Sequence, residues 1–156
     1  MVEPGNFVSN PQTQGDNFFQ HAQGVSREDA EAEAKREFDA LAKLLTSARI
    51  GVKVFRQEDT LVTPDSVFPN NWFSTFPDGT FILYPMMAEN RRLERRTNII
   101  SFLEKQYRRK IDLSRDENRG IFLEGTGSLV IDHLNKIAYA SLSQRTSSNM
   151  IFEWEK

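Results

Sequence analysis

The sequence has 156 residues, a formal net charge of −2 and no cysteine, which is the profile of one ordinary globular domain. The lack of cysteine excludes disulfides, thiolate metal sites and a cysteine nucleophile within these residues. The two histidines, His21 and His133, disfavour a multi-histidine metal site, so we predict no metal and no cofactor. The sequence contains no apolar run of membrane-spanning length, and its polar beginning is unlike a signal peptide. We therefore expect a cytoplasmic protein that does not bind membranes.

The first 25 residues lack periodicity and predict a loop, after which one helix is expected. Ser26 is placed to be its N-cap, with Asp29 three residues later. Gly51 is placed to end it, and "VKVF" (residues 52–55) predicts a short strand. Apolar residues recur at helical spacing through this helix at Ala30, Ala34, Phe38, Leu41 and Leu45.

The middle of the chain predicts two extended pieces, "DSVF" and "WFSTF", joined at Pro69, and then a hairpin over residues 72–84 that turns at "PDG". A helix from about Leu93 to Tyr107 and the strand "KIDL" follow. Further along, "IFLEGTGSLVID" and "KIAYASLS" predict a second hairpin, which turns at "HLN". The last residues predict the start of a third helix.

A strand–strand–helix–strand pattern therefore repeats, with residues 72–92 matching about 126–145. One such unit cannot bury both of its faces, so units of this kind stack or form a wheel. The pattern stops partway through a copy. This predicts an α/β fold built as an incomplete wheel.

An acid and two amides lie among aromatic residues in "TPDSVFPNNWFSTF". Asp65, Asn70 and Asn71 are each common turn residues, which is the simpler interpretation. Their grouping beside Phe68 and Trp72 instead favours a polar site with apolar walls, as in a small-molecule pocket.

A second acid, Glu124, is followed by Gly125 and Gly127 in "FLEGTGS". Glycines allow a sharp bend or a close approach of a ligand, although a hairpin glycine pair with a solvated glutamate is the alternative. "EGTG" lacks the lysine of a phosphate-binding loop.

Four arginines crowd the stretch "ENRRLERR" (residues 89–96). A solvated helix start with intrahelical ion pairs is one interpretation. Nucleic-acid binding is disfavoured because the net charge is negative. The third interpretation is a bidentate contact with a substrate carboxylate, since Arg92 and Arg145 occupy equivalent points of the repeat and would face one centre.

Three segments, "TPDSVFPNNWFST", "DGTFILYPMMAENRRLERR" and "FLEGTGSLVIDHLNKIAYASLSQRT", resemble the guanidino-group-modifying superfamily. The nearest resemblance is to its citrulline-utilisation hydrolase and amidinotransferase-like branch. Dimethylarginine dimethylaminohydrolases and arginine deiminases are more distant. The resemblance implies a pentein-like five-bladed α/β propeller of ββαβ units. Residues 1–156 would be the N-terminal portion of this single catalytic domain, roughly half of the wheel.

The resemblance also implies chemistry on a guanidino or ureido amino acid of the arginine, methylarginine or citrulline type. A cysteine near the C-terminus would attack the guanidinium carbon, a histidine would shuttle protons, and water or an amine would resolve the intermediate. Glu124 resembles the catalytic glutamate that contacts the guanidino group. Asn70 and Asn71 stand where dimethylarginine enzymes carry an acidic pair, and Phe76 where close relatives carry histidine. The residues that resemble substrate-binding positions are Asp65, Asn70, Asn71, Arg92 (or Arg91) and Arg145.

The expected cysteine and the later histidine are both missing from this sequence. The chain is therefore expected to be the substrate-binding half of such an enzyme and inactive alone, whether as a truncated, split or degraded form. Its expected partners are the small-molecule amino acid and either a complementary C-terminal half or a second copy. Two alternatives stay open: a non-catalytic amino-acid-binding module, and a half-propeller scaffold that pairs with another chain. In the enzyme interpretation, Asp65, Asn71, Glu124, Arg92 and Arg145 are expected to converge on one cavity.

Overall fold

The computed structural model describes residues 1–15, 24, 26–57 and 61–156. They form two compact units, Met1–Pro69 and Asn70–Lys156. His21 lies outside the described residues. Within the described ranges, no helix is long and apolar enough to cross a membrane.

The main element of the first unit is the helix α1 (Arg27–Ser47). Ser26 is its N-cap, as predicted, because its side-chain oxygen accepts from the Asp29 N–H at 3.1 Å. The prediction that Gly51 ends the helix was wrong. Ala48 is the C-cap, and Arg49 takes a left-handed conformation with φ 61°, so the chain leaves the helix earlier.

Two predicted extended segments of the first unit are not strands. Residues 52–55 contribute one parallel bridge, in which Phe55 pairs with Val2. Residues 64–67 form a turn, closed by hydrogen bonds from Ser66 N to the Thr63 carbonyl and from Phe68 N to the Asp65 carbonyl. Proline followed by aspartate is common in turns, and here the turn is closed by backbone hydrogen bonds. A 3-10 turn, Pro69–Asn71, follows.

The second unit begins with the predicted hairpin of residues 72–84. Strands β1 (Phe73–Thr75) and β2 (Thr80–Leu83) are antiparallel, and β3 (Arg109–Asp112) pairs with β2 in parallel. The helix predicted over residues 93–107 is α3 (Thr97–Gln106), which begins later than expected, and a short helix that was not predicted, α2 (Glu89–Arg92), precedes it. They are separate because Arg96 is extended, with ψ 142°, so the helical hydrogen bonding is interrupted there.

After a 3-10 turn, Ser114–Arg119, the chain enters the second predicted hairpin. Its strands are β4 (Leu129–Asp132) and β5 (Ile137–Ala140), and α5 (Ser148–Glu155) is the predicted third helix. The sequence predicted that all of "IFLEGTGSLVID" (residues 121–132) is one arm of this hairpin, and this was wrong for residues 125–128. Gly125–Ser128 forms one helical turn, α4, because Gly125 takes a positive φ of 38° that bends the chain.

The core of the second unit lies between its two small sheets. Ile82 and Tyr84 from the first hairpin pack with Leu129 and with Met150 of α5. The Trp154 indole N–H donates to the Tyr84 hydroxyl at 3.0 Å. The unit is thus a mixed α/β structure with one strand–strand–helix–strand motif, followed by a second hairpin and its helix.

Candidate functional site

Glu124 is a buried carboxylate at the start of α4, with 1% of its surface exposed. Its Oε1 accepts from the Met87 backbone N–H at 2.9 Å. Its Oε2 lies 3.6 Å from Nη1 of Arg145, whose side chain is 19% exposed. A carboxylate this deep requires nearby donors and positive charge, and both are supplied here.

Ser128 fixes the positions of Glu124 and Arg145 relative to each other. Its hydroxyl accepts from the Glu124 N–H at 2.9 Å and donates to the Arg145 carbonyl at 3.1 Å. The Thr146 hydroxyl donates to the same serine oxygen at 2.8 Å. The two charged residues therefore share one buried anchor, which the sequence motif alone did not reveal.

Asn70 and Asn71 lie directly against the glycine turn that follows Glu124. The Asn70 amide donates to the Thr126 hydroxyl. A Cβ placed on Gly125 would lie 2.4 Å from the Asn70 carbonyl oxygen, and one on Gly127 would lie 2.4 Å from Nδ2 of Asn71. The glycines are thus required for the close approach of the amide pair to the glutamate turn.

Arg92 reaches the same neighbourhood from α2. Its Nε donates to the Met86 carbonyl at 2.9 Å and its Nη2 to the Met87 carbonyl at 3.1 Å. Its guanidinium also lies 5.9 Å from the centre of the Phe122 ring. Met87 also donates its own N–H to the Glu124 carboxylate. Met87 therefore links Arg92 to the carboxylate that lies beside Arg145.

Glu117 also lies beside Arg92, and the sequence analysis did not predict this. Its Oε1 accepts from Nη2 of Arg95 at 2.6 Å and lies 3.9 Å from Nε of Arg92. Its Oε2 accepts from the Met86 N–H at 3.3 Å. Glu117 lies in "RDENRG" (residues 115–120), which carries no pattern of its own, and the surplus of arginines upstream was the one signal of a partly buried acid.

The arginine-rich stretch is not the solvated helix start of the simpler interpretation. Arg91 and Glu94 form a buried bidentate pair, with Nε to Oε1 at 3.0 Å and Nη2 to Oε2 at 3.2 Å. Arg96 is 7% exposed. Arg91 is therefore committed to Glu94, and Arg92 is the arginine of this stretch that lies beside Met87.

Asp65 belongs to the first unit, where its carboxylate has two described donors. Oδ2 accepts from Nδ2 of Asn10 at 2.7 Å and from the Thr13 hydroxyl at 3.3 Å. Asn10 and Thr13 are both buried. The expected convergence of Asp65 with the other site residues stays a prediction.

The second unit thus assembles one buried carboxylate, two guanidinium groups and two amides around the segment of residues 124–127. Such a group offers acceptors for a planar N–H-rich head and donors for a carboxylate. Within the described part of the chain, no cluster of three histidine, aspartate or glutamate residues is placed to hold a metal ion. Phe76 contacts the His133 ring edge-on, with centroids 6.2 Å apart.

The fold is similar to that of several enzymes of guanidino compounds. One is the N-terminal domain of ArgZ, an arginine dihydrolase from cyanobacteria, solved as a cysteine-to-serine mutant bound to substrate. Its sequence is 18% identical and the TM-score is 0.67. The match covers 99% of this chain and 53% of the ArgZ domain. A histidine-to-glycine mutant of dimethylarginine dimethylaminohydrolase, an adduct with S-methyl-L-thiocitrulline, is 16% identical with a TM-score of 0.66, over 98% and 53%. A mutant of AgrE with L-arginine is 20% identical with a TM-score of 0.65, over 97% and 20%.

These structures share the fold of this chain. The model of the family described as "N,N dimethylarginine dimethylhydrolase, eukaryotic" matches residues 3–156, and the chain belongs to this family. It spans about half the length of the solved ArgZ domain and of dimethylarginine dimethylaminohydrolase. Among curated proteins, no sequence gives a significant match.

Proposed function

We propose that this chain is the substrate-binding part of a hydrolase that acts on the guanidino or ureido group of a free amino acid. Glu124 contacts that group, and Arg92 and Arg145 bind the carboxylate of the amino acid. Asn70 and Asn71 line the pocket, and the binding of the amino end by Asp65 stays a prediction from the sequence resemblance. The observation that carries the proposal is the buried Glu124 carboxylate, which lies between the Met87 N–H and the Arg145 guanidinium.

The burial of Glu124 supports a role in binding a planar head group. A buried carboxylate pairs best with a donor that presents two parallel N–H groups, as guanidinium and urea groups both do. A cationic guanidinium would gain more from the negative charge than a neutral urea would. The amides of Asn70 and Asn71 add no further charge, which favours a neutral ureido head over a dimethylarginine head.

The covalent step, in this proposal, uses a cysteine thiolate from outside these 156 residues. The thiolate attacks the guanidinium or ureido carbon and displaces the amine or ammonia, and water then releases the second product. Amidino transfer replaces water with an amine acceptor. The proposed complete domain is a five-bladed propeller to which this chain contributes the first half, with one full ββαβ unit and part of the next.

The alternative is an amino-acid-binding module without catalysis. The sequence itself favours it in one respect, since these residues contain no cysteine. Both functions require the same pocket. They differ in whether addition of a cysteine-bearing second half produces turnover.

Ligand binding by the purified chain tests the proposal. Isothermal titration with L-arginine, asymmetric dimethyl-L-arginine and L-citrulline should give binding to at least one of them. Glu124→Gln keeps the shape but removes the charge, so it should weaken the cationic ligands by about tenfold or more and L-citrulline much less. Glu153→Gln is the matched control, because Glu153 is exposed and pairs with Lys156. Equal binding by wild type and Glu124→Gln would contradict the proposed role.

A further inference from the structure

The Glu117 carboxylate lies near two arginines but pairs closely with only one of them. Its Oε1 accepts from Nη2 of Arg95 at 2.6 Å, whereas Nε of Arg92 is 3.9 Å from the same oxygen. The side chains of Glu117 and Arg95 are only 10% and 12% exposed. Water screens such a pair poorly, so the charge of Glu117 acts strongly on whichever cation is closest. In this structure, that cation is Arg95.

Glu117 is held in this orientation at both of its carboxylate oxygens. Oε2 accepts from the Met86 backbone N–H at 3.3 Å, while Oε1 is bound by Arg95. Arg95 is itself anchored, since its Nη1 donates to the Tyr84 carbonyl at 3.4 Å. Tyr84 and Met86 both follow strand β2, so the ion pair is fixed to the end of that strand. The orientation depends on Arg95, because without it Oε1 would have no close donor among the described residues.

Arg92 keeps one edge of its guanidinium available. Nε and Nη2 donate to the carbonyls of Met86 and Met87, at 2.9 and 3.1 Å. Among the residues that the structure describes, none accepts a hydrogen bond from Nη1, and the side chain is 25% exposed. A guanidinium has more donors than these two contacts use, so the edge that carries Nη1 can still bind a carboxylate. Its positive charge stays available only while no internal acid neutralises it.

We infer that Arg95 is a positioning residue, which keeps the Glu117 carboxylate away from Arg92 and so leaves Arg92 able to bind an external carboxylate. Without Arg95, the nearest cation to Glu117 would be Arg92, and a small rotation would bring the two into contact. The internal carboxylate would then neutralise the guanidinium that the carboxylate of the amino acid needs. The identity of that ligand rests on the proposed function, whereas the competition rests on the contacts of Glu117 alone.

The test compares variants of the full chain by isothermal titration with L-arginine and L-citrulline. Arg95→Met should weaken both by about tenfold or more, because both carry the same carboxylate and Glu117 then neutralises Arg92. Arg95→Met combined with Glu117→Gln should restore most of the affinity, whereas damage to packing would not be reversed by a second substitution. Arg95→Lys keeps the cation and should bind nearly as wild type does. The matched control is Arg119→Met, because Arg119 is 72% exposed and pairs with Asp116.

A signal of the ligand-free chain tests the competition separately. The Nε–H resonance of Arg92 should shift in Arg95→Met, when Glu117 moves onto the guanidinium, and should return towards its wild-type position in the double variant. If Arg95→Met does not fold, Arg95→Gln replaces it, with changes in the same direction. Unchanged affinity in Arg95→Met, a double variant that binds as weakly as Arg95→Met, or an Arg92 resonance that Arg95→Met leaves unmoved would each overturn the inference. Absence of binding by the wild type would instead contradict the proposed function, and the Arg92 resonance would then decide the inference alone.

Discussion

Glu124 and Arg145 lie side by side in the second unit, with the carboxylate Oε2 3.6 Å from the guanidinium Nη1. The two residues come from different sides of the second hairpin, and Ser128 bonds to the backbone of both. Neither charge could lie this deep alone without a large desolvation cost. The pair is therefore a folding element as well as a candidate binding element, and the two roles can be separated by mutation.

Arg145→Met should destabilise the chain by about 2 kcal/mol, because it removes the cation beside a buried carboxylate. Arg145→Met combined with Glu124→Gln should recover part of that loss, since the uncompensated charge is gone. Urea unfolding followed by tryptophan fluorescence measures this, as both tryptophans, Trp72 and Trp154, lie in the second unit. A double mutant less stable than Arg145→Met would contradict the coupling.

Gly125→Ala should destabilise the chain by about 3 kcal/mol or more, because its Cβ would meet the Asn70 carbonyl and its φ of 38° disfavours a side chain. Gly120→Ala is the matched control. Gly120 also has a positive φ, 70°, but no atom lies within 4 Å of its added Cβ among the described residues, so only the backbone cost of roughly 1–2 kcal/mol applies. Equal losses in the two variants would show that the contact with Asn70 is unimportant.

Gly127→Ala should act differently from Gly125→Ala. Its Cβ would meet the Asn71 side chain, which can rotate away, so the loss of stability should be smaller. The displaced amide should still weaken ligand binding if Asn71 lines the pocket. Titration and urea unfolding of the same variant separate the two effects. Unchanged affinity with an intact fold would remove Asn71 from the proposed site.

Much of the second unit could be predicted from sequence because its signals are local. The hairpin at residues 72–84 has a strong turn and apolar strands, and helix α5 follows a clear polar loop. The break between α2 and α3 could not be predicted, because no proline or glycine in "ENRRLERR" marks Arg96 as the residue whose backbone is extended. The helical turn after Glu124 was likewise hidden, because glycines allow several conformations and contact with Asn70 selects one.

In the candidate site, too, the sequence could predict only those residues that have a local sequence signal. The sequence identified Glu124 because it is an acid followed by two glycines. It identified Arg145 because this arginine occupies a repeated position. Glu117 and Ser128 did not, because isolated polar residues in loops carry no signal of the groups they will contact. The pairing of Arg91 with Glu94 also required the folded structure, although their spacing permits it.

Stability should fall in alkali because burial raises the pKa of the Tyr84 phenol above its usual value near 10. The phenol then stays protonated in the folded state when the unfolded chain ionises. Its contribution to stability is complete below about pH 10 and is lost as pH rises through the folded pKa. Urea unfolding at pH 8 and pH 10.5 should show a loss in wild type that is smaller in Tyr84→Phe, with exposed Tyr139→Phe behaving as wild type.

The purified chain should release no ammonia, amine or urea from L-arginine, asymmetric dimethyl-L-arginine or L-citrulline. The physical reason is that these residues contain no cysteine, and loss of a covalent nucleophile typically lowers rates by several orders of magnitude. Colorimetric product assays at high protein concentration measure this. Product release that Glu124→Ala abolishes and Glu153→Gln preserves would contradict it.

The most direct test of the account is a ¹⁵N chemical-shift titration of the chain with L-arginine and L-citrulline. Met87 is the reporter, because its N–H donates to Glu124 and must respond when a head group reaches that carboxylate. The account predicts saturable shifts at Met87 and Gly127, with the L-arginine response lost in Glu124→Gln. Shifts confined to the hollow of about 460 Å³ between Thr75 and Arg108, or a Met87 response that survives in Glu124→Gln, would contradict it.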